Sequence, residues 1–426
     1  MNDLTRVADE HTELTRRYFL GLGAAGLGLG AAGIVGLGPA GAWAHGEKQK
    51  EILAEAIGKM EYLTSLDRFR MYGRGTPPPD QLPPDKRREV GLERDTWKLE
   101  VLADPEGQAK LEKPMSKELG TALDWQGLMK LAERHAVRFI KVMTCTNGAD
   151  PCGMGLWEGV PLREIVWLAR PSPNVRRVFY YGYHNDDPKQ RFQSSLPIGR
   201  VLEDPPGEQP VILCYKLNGQ WLSPKAGAPV RMIVPEGYGN KSVKWLQRVV
   251  LTSSFQANDT YAEWNNDVES PLKTYARFVE VPKQVRSGEA AAVTGVAQVG
   301  ASGLSKVQCW LGPENVAWPA DDPYFAKAPW VDAAILPPPD RWGGGLPDGK
   351  LPPVAGQIDP ATGKPRQWPL RNTLVHWAMV LTAPAPGRYQ LRCRTIDANG
   401  IAQPMPRPFP KSGNNVIQQA AVVVVA

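Results

Sequence analysis

The sequence has few of the residues from which proteins build metal centres. Its 426 residues include five cysteines and five histidines. None of the cysteines belongs to a CxxCH motif, which excludes a covalently attached c-type haem, and no four-cysteine pattern for an iron–sulfur cluster occurs. HxH and HExxH are also absent, which argues against a copper oxidase and a zinc hydrolase.

Long apolar runs and clusters of one charge are equally scarce. The formal net charge is +6, and the sequence has no lysine or arginine run of the kind that binds nucleic acid. A mild positive excess favours small anions instead. Beyond the N-terminal segment, no stretch is long and apolar enough to cross a bilayer. We therefore expect no nucleic-acid partner and no stable membrane span after signal cleavage.

The N-terminal segment carries a paired arginine. Arg16 and Arg17 precede a Gly/Ala/Leu-rich run over residues 21–38, which is followed by the small-x-small pattern Ala42-Trp43-Ala44. This order is typical of a twin-arginine signal peptide over residues 1–44. An ordinary export signal and an uncleaved anchor stay open as alternatives. Because the twin-arginine pathway exports folded proteins, the segment predicts a periplasmic protein whose cofactor is inserted in the cytoplasm.

The remaining chain divides into three parts by composition. Residues 45–95 are polar and proline-rich and predict a short helix over residues 47–63 followed by an extended arm. Residues 96–276 mix patterns of helices and strands. Residues 277–426 show short strands separated by turns, with a Pro/Gly-rich loop at about residues 335–368, which indicates a β-sandwich.

Local patterns place one cysteine at the end of a strand. Asp124 is expected to cap a helix that ends near His135. Residues 137–144 read as a buried strand that delivers Cys145 into a loop. Cys152 follows in a Gly-rich segment, which we interpret as a loop, and its thiol is expected to be structural or to lie at the mouth of a site.

The predicted sandwich contains two further cysteines on strands. Cys309 and Cys393 are either paired across the sandwich or two buried thiols, because connectivity does not follow from sequence. Along the strand of Cys393, Leu391 is expected to face inward, and Arg392 and Arg394 are expected to face outward.

Several segments resemble the sulfite oxidase family of molybdopterin enzymes. They are Phe139–Cys145 with Asn147-Gly148, Trp157–Leu162, Ser194–Pro197, Tyr215–Gly219, Pro229–Pro235 and Tyr238–Leu246. The resemblance covers roughly residues 65–426. It implies an α+β protein: a mixed α/β molybdopterin-binding domain over residues 96–276, with the sulfite oxidase fold, and an immunoglobulin-like dimerisation sandwich over residues 277–426. It also implies a homodimer.

The resemblance implies a role for Cys145 as the protein ligand of Mo-molybdopterin. Thiolate is a soft ligand suited to this metal, whereas from the residues alone a buried apolar cysteine is the commoner role. The cofactor contacts that the resemblance implies are Phe69, Arg70, Tyr72, His184, Asn185, Asp186, Arg231, Ser242, Val243 and Lys244. Among them, Arg231 is expected to bind phosphate, and Arg70 to lie near both pterin and substrate. The alternative for each basic residue is a solvated surface charge.

The sequence departs from the family on the side that binds the substrate anion. Asp150 stands where the family has an arginine, and only eleven residues separate Cys145 from Trp157, where the family has a much longer loop. Val268-Glu269 stands where a tyrosine is usual, and Lys411 is the nearest candidate for a late arginine. We therefore assign Cys145, Arg70 and Asp150 as the candidate catalytic residues.

The resemblance implies an oxidoreductase that oxidises sulfite or a related small sulfur compound by oxygen-atom transfer at molybdenum. The electrons would pass to a separate cytochrome c or a similar carrier. Because of Asp150, a molybdopterin reductase or dehydrogenase for a non-sulfite substrate is an alternative. An exported, non-catalytic binding or scaffold protein is a third.

Overall fold

The computed structural model describes residues 34–35, 47–148, 150–184, 187–261, 267–353, 357–404, 413 and 415–426. Arg16, Arg17, the segment Ala42–Ala44 and Lys411 lie outside these residues, so the signal peptide stays a prediction. Every helix in the described ranges is too short or too polar to span a bilayer.

The described helices and strands follow in chain order. The α-helices are α1 (Glu47–Gly58), α2 (Pro84–Glu89), α3 (Trp125–His135), α4 (Leu162–Leu168) and α5 (Ile198–Leu202). The strands are β1 (Ile34–Val35), β2 (Lys98–Ala103), β3 (Leu123–Asp124), β4 (Val137–Thr144), β5 (Pro151–Pro161), β6 (Arg177–Gly182), β7 (Gln193–Pro197), β8 (Ile212–Leu217), β9 (Gln220–Trp221), β10 (Arg231–Ile233), β11 (Leu246–Thr252), β12 (Tyr275–Glu280), β13 (Gln284–Arg286), β14 (Ala290–Gln298), β15 (Lys306–Pro313), β16 (Val331–Ile335), β17 (Leu374–Thr382), β18 (Gly387–Ile396) and β19 (Gln418–Val425).

The first half of the chain builds two five-stranded sheets. One has the order β10-β8-β5-β4, with β9 paired to β8, and the other has the order β3-β2-β11-β6-β7. A core that includes Leu99, Val101, Leu213, Met232 and Val249 joins strands of both sheets. Burial of this apolar surface is the main stabilising contribution. The mixed α/β character predicted for this region is confirmed.

The predictions for α3 and α4 are confirmed. Asp124 caps α3 by accepting a hydrogen bond from the Gly127 amide at 2.8 Å. On α4, Leu162, Ile165 and Val166 are fully buried, as the spacing along the helix predicts.

The second half builds a nine-stranded sheet of order β12-β14-β17-β16-β15-β18-β19-β13, with β1 paired to β17. It encloses a separate core that includes Val293, Val307, Trp377 and Leu391. A β-sandwich is therefore present, and its immunoglobulin-like classification stays a prediction. Cys309 and Cys393 lie opposite each other on β15 and β18, with free thiols.

The Pro/Gly-rich loop of the second half packs on the strand that leads to Cys145. Gln357 accepts a hydrogen bond from the Ile140 amide at 2.8 Å and donates one to the Ile140 carbonyl at 3.0 Å. The Val142 amide donates to the Asn372 carbonyl at 2.8 Å. The loop thereby supplies β4 with hydrogen-bond partners for backbone groups that its sheet leaves unpaired.

Three sequence predictions were wrong. The first helix ends at Gly58 instead of residue 63, because the Leu63 amide bonds to the Trp342 carbonyl at 2.8 Å and the Leu63 side chain enters the core. The Gly-rich segment around Cys152 is part of strand β5 instead of a loop. Arg394, expected to face outward, is fully buried, and its guanidinium lies 4.2 Å from the centroid of the Trp330 ring.

The glycines of β5 explain why it does not look like a strand in the sequence. A Cβ atom on Gly155 would lie 2.3 Å from Leu217 Cδ1, and one on Gly159 would lie 2.3 Å from the Leu213 carbonyl oxygen. The neighbouring strand β8 thus leaves no space for side chains at these two positions. Glycine is required here by close packing inside a sheet.

Candidate active site

Cys145 follows β4 directly and begins a tight turn. The Gly148 amide donates to the Cys145 carbonyl at 3.0 Å. The cysteine is half-buried and lines a cavity of about 180 Å³. The buried strand therefore fixes the position of a thiol that stays accessible from one side.

The cavity gathers most of the residues that the sequence predicted for the site. Those that line it are Arg70, Tyr72, Cys145, His184, Arg231, Ser242, Val243 and Lys244. They come from the proline-rich arm, the turn after β4, the end of β6, β10 and the segment before β11. Asn185 and Asp186 lie outside the described residues.

Two predicted site residues are not among the lining residues. Phe69 is buried in the core, where its ring packs edge-on against Trp157 and touches Gly153, whose missing Cβ would lie 2.8 Å from Phe69 Cδ2. Asp150 is half-exposed at the edge of the cavity. Phe69 is therefore a core residue beneath the arm, and Asp150 lies outside the cavity lining.

Arg231 is a buried cation, and its interpretation as a surface charge is wrong. It is 3% exposed, and it donates to the Ala226 carbonyl at 2.9 Å and the Ser242 carbonyl at 2.8 Å. Its Nε is buried and has no hydrogen-bond partner in the described part of the chain. Burial lowers the pKa of Arg231 to about 10, because loss of hydration disfavours the charged form.

Lys244 is a second cation held against the arm. Its ammonium group donates to the carbonyls of Tyr72 at 2.8 Å and Lys225 at 2.6 Å. Burial, with Arg231 nearby, lowers the pKa of Lys244 to about 7. Gly227 permits this position, since its φ is +105° and a Cβ there would lie 2.8 Å from Lys244 Cβ.

His184 presents a neutral ring to the same cavity. Both of its ring nitrogens are buried without a hydrogen-bond partner among the described residues. Burial, with Arg74 nearby, lowers the pKa of His184 to about 4, so the ring is uncharged at pH 7. The rings of Phe192 and Trp245 contact it edge-on at centroid distances of 6.0 and 5.9 Å.

Sequence reasoning missed several residues of this region. Arg74 lines the cavity, and its guanidinium lies 4.5 Å from the centroid of Phe192. Arg74 lies four residues after Arg70 on the same arm, and this proximity is the sequence signal that could have identified it. Arg277 approaches Asp150 from β12, and nothing in the sequence links these two residues.

Cys152 also lines the cavity, on β5. Its sulfur lies beside the backbone amide of Cys145, and burial raises the pKa of the Cys152 thiol. Cys152 is 5% exposed, whereas Cys145 is half-buried and accessible from the cavity. Cys145 is therefore the better candidate ligand of the two.

The electrostatics of the cavity suit a large anion with a soft metal. Four cations line it, namely Arg70, Arg74, Arg231 and Lys244, and no described lining residue is a carboxylate. The unpartnered nitrogens of Arg74, Arg231 and His184 are available as hydrogen-bond donors or acceptors. Arginine and lysine bind phosphate through charge-assisted hydrogen bonds. The donor set fits a phosphate-bearing pterin, with Cys145 as the sulfur ligand of its metal.

Comparison with known proteins agrees with this geometry. Residues 89–260 match the oxidoreductase molybdopterin binding domain. Mitochondrial sulfite oxidase of Rattus norvegicus is 31% identical over 181 residues, which cover 41% of this chain and 31% of that protein. The nitrate reductase (NADPH) of Beauveria bassiana is 31% identical over 121 residues, which cover 28% of this chain and 13% of that protein. The chain thus spans less than a third of the length of either relative.

One solved structure shares the overall fold. The crystal structure of the sulfane dehydrogenase SoxCD from Paracoccus pantotrophus matches with a TM-score of 0.52 and 17% sequence identity. The match covers 78% of this chain and 77% of that chain. Taken with the cavity around Cys145, these findings show that residues 89–260 match a molybdopterin-binding oxidoreductase domain and are similar to the sulfite oxidases, and that the fold is shared with SoxCD; Mo-molybdopterin is the cofactor that this domain implies.

Proposed function

We propose that this protein is a periplasmic oxidoreductase that oxidises sulfite or a related small sulfur compound. The cofactor would supply the oxygen-atom transfer, and a separate cytochrome c would accept the electrons. The observation that carries the proposal is the cavity in which Cys145 meets four cations and no described carboxylate. The sulfite oxidases among its relatives support sulfite as the first substrate to test.

The cofactor supplies the redox chemistry when bound, through a metal that exchanges oxygen atoms and electrons. The protein supplies ligation, orientation and charge. Cys145 would bind the metal, Arg231 and Lys244 would hold the anionic groups of the pterin, and the neutral ring of His184 would hydrogen-bond to it. Arg70 is half-exposed at the mouth, where a substrate anion enters.

A direct test combines cofactor analysis with a substrate panel on one sample. We expect about one molybdenum and one pterin per chain, and reduction of cytochrome c when sulfite is added. The absence of a CxxCH motif from the 426 residues supports a separate carrier. A fully loaded protein that turns over neither sulfite nor thiosulfate would overturn the proposal.

A reductase is the second candidate, and the nitrate reductases among the relatives favour it. The same sample is assayed with nitrate and a reduced dye as electron donor. Nitrate turnover without sulfite turnover would replace the first proposal by the second. A native protein without molybdenum and pterin would exclude both and leave a binding or scaffold protein.

The periplasmic location rests on Arg16 and Arg17. Because the pathway reads this pair, the double variant Arg16→Lys/Arg17→Lys is expected to leave more than about nine-tenths of the protein in the cytoplasm. Cell fractionation with immunoblotting measures the distribution. Export of the double variant at the wild-type level would contradict the twin-arginine assignment.

The proposed homodimer through residues 277–426 rests on the resemblance of this region to a dimerisation domain. Light scattering after size-exclusion chromatography measures the mass of the particle in solution. The full chain has a mass of 46.8 kDa. The exported protein lacks residues 1–44, so a dimer is recognised by twice the mass of the cleaved chain. A single species at the mass of one chain would contradict the dimer.

Arg231→Gln is expected to lower the pterin and molybdenum content about 10- to 100-fold at limiting cofactor. The reason is the loss of a charge-assisted hydrogen bond, which contributes about 1.5–3 kcal/mol. Arg231→Lys keeps the charge but loses the paired N–H donors of the guanidinium, so the cofactor content of this variant should be intermediate. Molybdenum and pterin are measured per folded chain.

Arg94→Gln is the matched control for this variant. Arg94 is an exposed cation that lies 4.4 Å from the centroid of Trp221, outside the cavity lining. Its replacement should leave the cofactor content unchanged. Equal losses in the Arg94 and Arg231 variants would show that Arg231 does not bind the cofactor specifically.

A further inference from the structure

Asp150 lies between two arginines that come from different parts of the chain. Its Oδ2 is 3.7 Å from Nη2 of Arg70, and its Oδ1 is 3.9 Å from Nε of Arg277. Each carboxylate oxygen therefore faces a different cation. About half of the Asp150 side chain is exposed, so solvent and small ligands reach it.

We propose that Asp150 determines the charge of the substrate that this site accepts. Its carboxylate stands between Arg70 and Arg277 and neutralises cations that would otherwise attract the oxygens of a doubly charged anion. The site then selects small sulfur compounds that are neutral or carry one negative charge, and it discriminates against dianions. This inference rests on the proposed function, because it concerns which molecule reaches the cavity around Cys145.

The two arginines are held by contacts that do not depend on Asp150. Nη2 of Arg70 donates to the Pro151 carbonyl at 3.1 Å, and the Arg70 amide donates to the Cys152 carbonyl at 2.9 Å. Arg277 is 7% exposed, and its guanidinium lies 5.2 Å from the centroid of Tyr275. Removing the carboxylate should therefore leave both cations in place.

Asp150 is also close to the metal-binding turn. A Cβ atom on Gly148 would lie 3.3 Å from Cys145 Cβ and 3.5 Å from the Asp150 carbonyl oxygen. The turn is compact, so the cysteine and the carboxylate belong to one short loop. Because Arg70 lines the cavity and lies 3.7 Å from Asp150, a charge at Asp150 acts on ligands that enter the cavity, through Coulomb interactions.

Arg70, Arg277 and Asp150 together carry a net charge of +1, and the two arginines alone would carry +2. A unit charge at about 4 Å changes the affinity of an exposed site for a monoanion several-fold, and the effect on a dianion is twice as large on a logarithmic scale. Dianions and monoanions of similar shape should therefore respond differently to loss of Asp150.

Titration calorimetry of the cofactor-loaded protein with sulfate and methanesulfonate tests the proposal. Asp150→Asn keeps the shape of the side chain and removes its charge. We expect sulfate to bind about tenfold more tightly to this variant at low salt, and methanesulfonate about threefold more tightly. Adding Arg277→Gln to the Asp150→Asn variant should reverse the gain.

Glu314→Gln is the control, because it also adds one positive charge. Glu314 pairs with Arg388 on the exposed side of the sandwich at 2.6 Å, so its loss should not change sulfate binding. The proposal would be overturned if Asp150→Asn left the sulfate affinity unchanged, or if Glu314→Gln raised it by the same factor. It would also be overturned if sulfate and methanesulfonate gained equally, or if sulfate bound measurably to neither the wild-type protein nor Asp150→Asn. These measurements need no turnover, so failure of the proposed oxidation activity is detected separately by the assays with cytochrome c.

Discussion

Replacing Cys145 by serine is expected to lower turnover more than about a hundredfold. A serine oxygen is a harder ligand than thiolate and does not complete the soft donor set that the metal prefers. Even residues that only support a metal ligand typically contribute 10- to 100-fold to affinity or activity, so loss of the ligand itself should cost more. Steady-state kinetics measure the loss, and the absorption spectrum of the metal should change in the same variant.

Cys152→Ser provides the matched control for this prediction. Cys152 lines the same cavity and its sulfur lies beside the Cys145 amide, but the pKa of the Cys152 thiol is raised by burial. Its replacement should keep the metal spectrum and change turnover by less than about tenfold. A Cys145→Ser variant with wild-type activity, or a Cys152→Ser variant with the altered metal spectrum, would show that the ligand was assigned to the wrong residue.

The position of Cys145 could be predicted because its causes are local. A run of apolar and β-branched residues predicts strand β4, and the strand occupies residues 137–144 as expected. The cofactor-binding segments around Arg231 and Lys244 were found because they resemble a family, and the structure brings both into the cavity with Cys145. The sequence predicted these positions correctly because a family motif or a local hydrophobic pattern determines the structure there.

The rest of the site depends on contacts between distant residues, which leave no local pattern. Arg277 comes from the first strand of the sandwich, yet it approaches a carboxylate that follows the cysteine by five residues. Arg394 was expected to face outward from the alternation along β18, but an aromatic ring of another segment covers it. The two-residue period of β18 is kept, since Leu391 and Cys393 enter the core, but a tertiary contact also buries the opposite face of the strand.

A buried ion pair beside the cavity gives the second large expected effect. Lys241 is fully buried, and its ammonium group lies 2.8 Å from Oδ2 of Asp259 and 2.7 Å from the Ser195 carbonyl oxygen. The hydroxyls of Ser194 and Ser195 also donate to the Asp259 carboxylate. Lys241 directly precedes Ser242, and its carbonyl accepts from the Tyr180 hydroxyl at 2.9 Å. The pair thus connects β7 to the segment that forms one wall of the cavity.

Asp259→Ala is expected to lower the free energy of unfolding by about 3–5 kcal/mol. Removal of Asp259 leaves the buried ammonium of Lys241 with a weaker countercharge, the half-exposed Glu269, whose Oε2 lies 3.9 Å away. Loss of the close partner is the costly way to break a buried pair. Urea unfolding followed by tryptophan fluorescence measures the loss. Cofactor content should fall in the same variant, because Ser242, Val243 and Lys244 follow Lys241 on the cavity wall.

A double variant separates the cost of the weakly paired charge from the loss of packing. Asp259→Ala combined with Lys241→Met removes the weakly paired ammonium, so it should be more stable than Asp259→Ala alone. Glu314→Gln, which breaks the exposed pair with Arg388, should cost no more than about 1 kcal/mol. If Asp259→Ala were as mild as Glu314→Gln, the buried pair would not stabilise the fold. If the double variant were the less stable of the two, the loss would come from packing around Lys241 and not from its weakly paired charge.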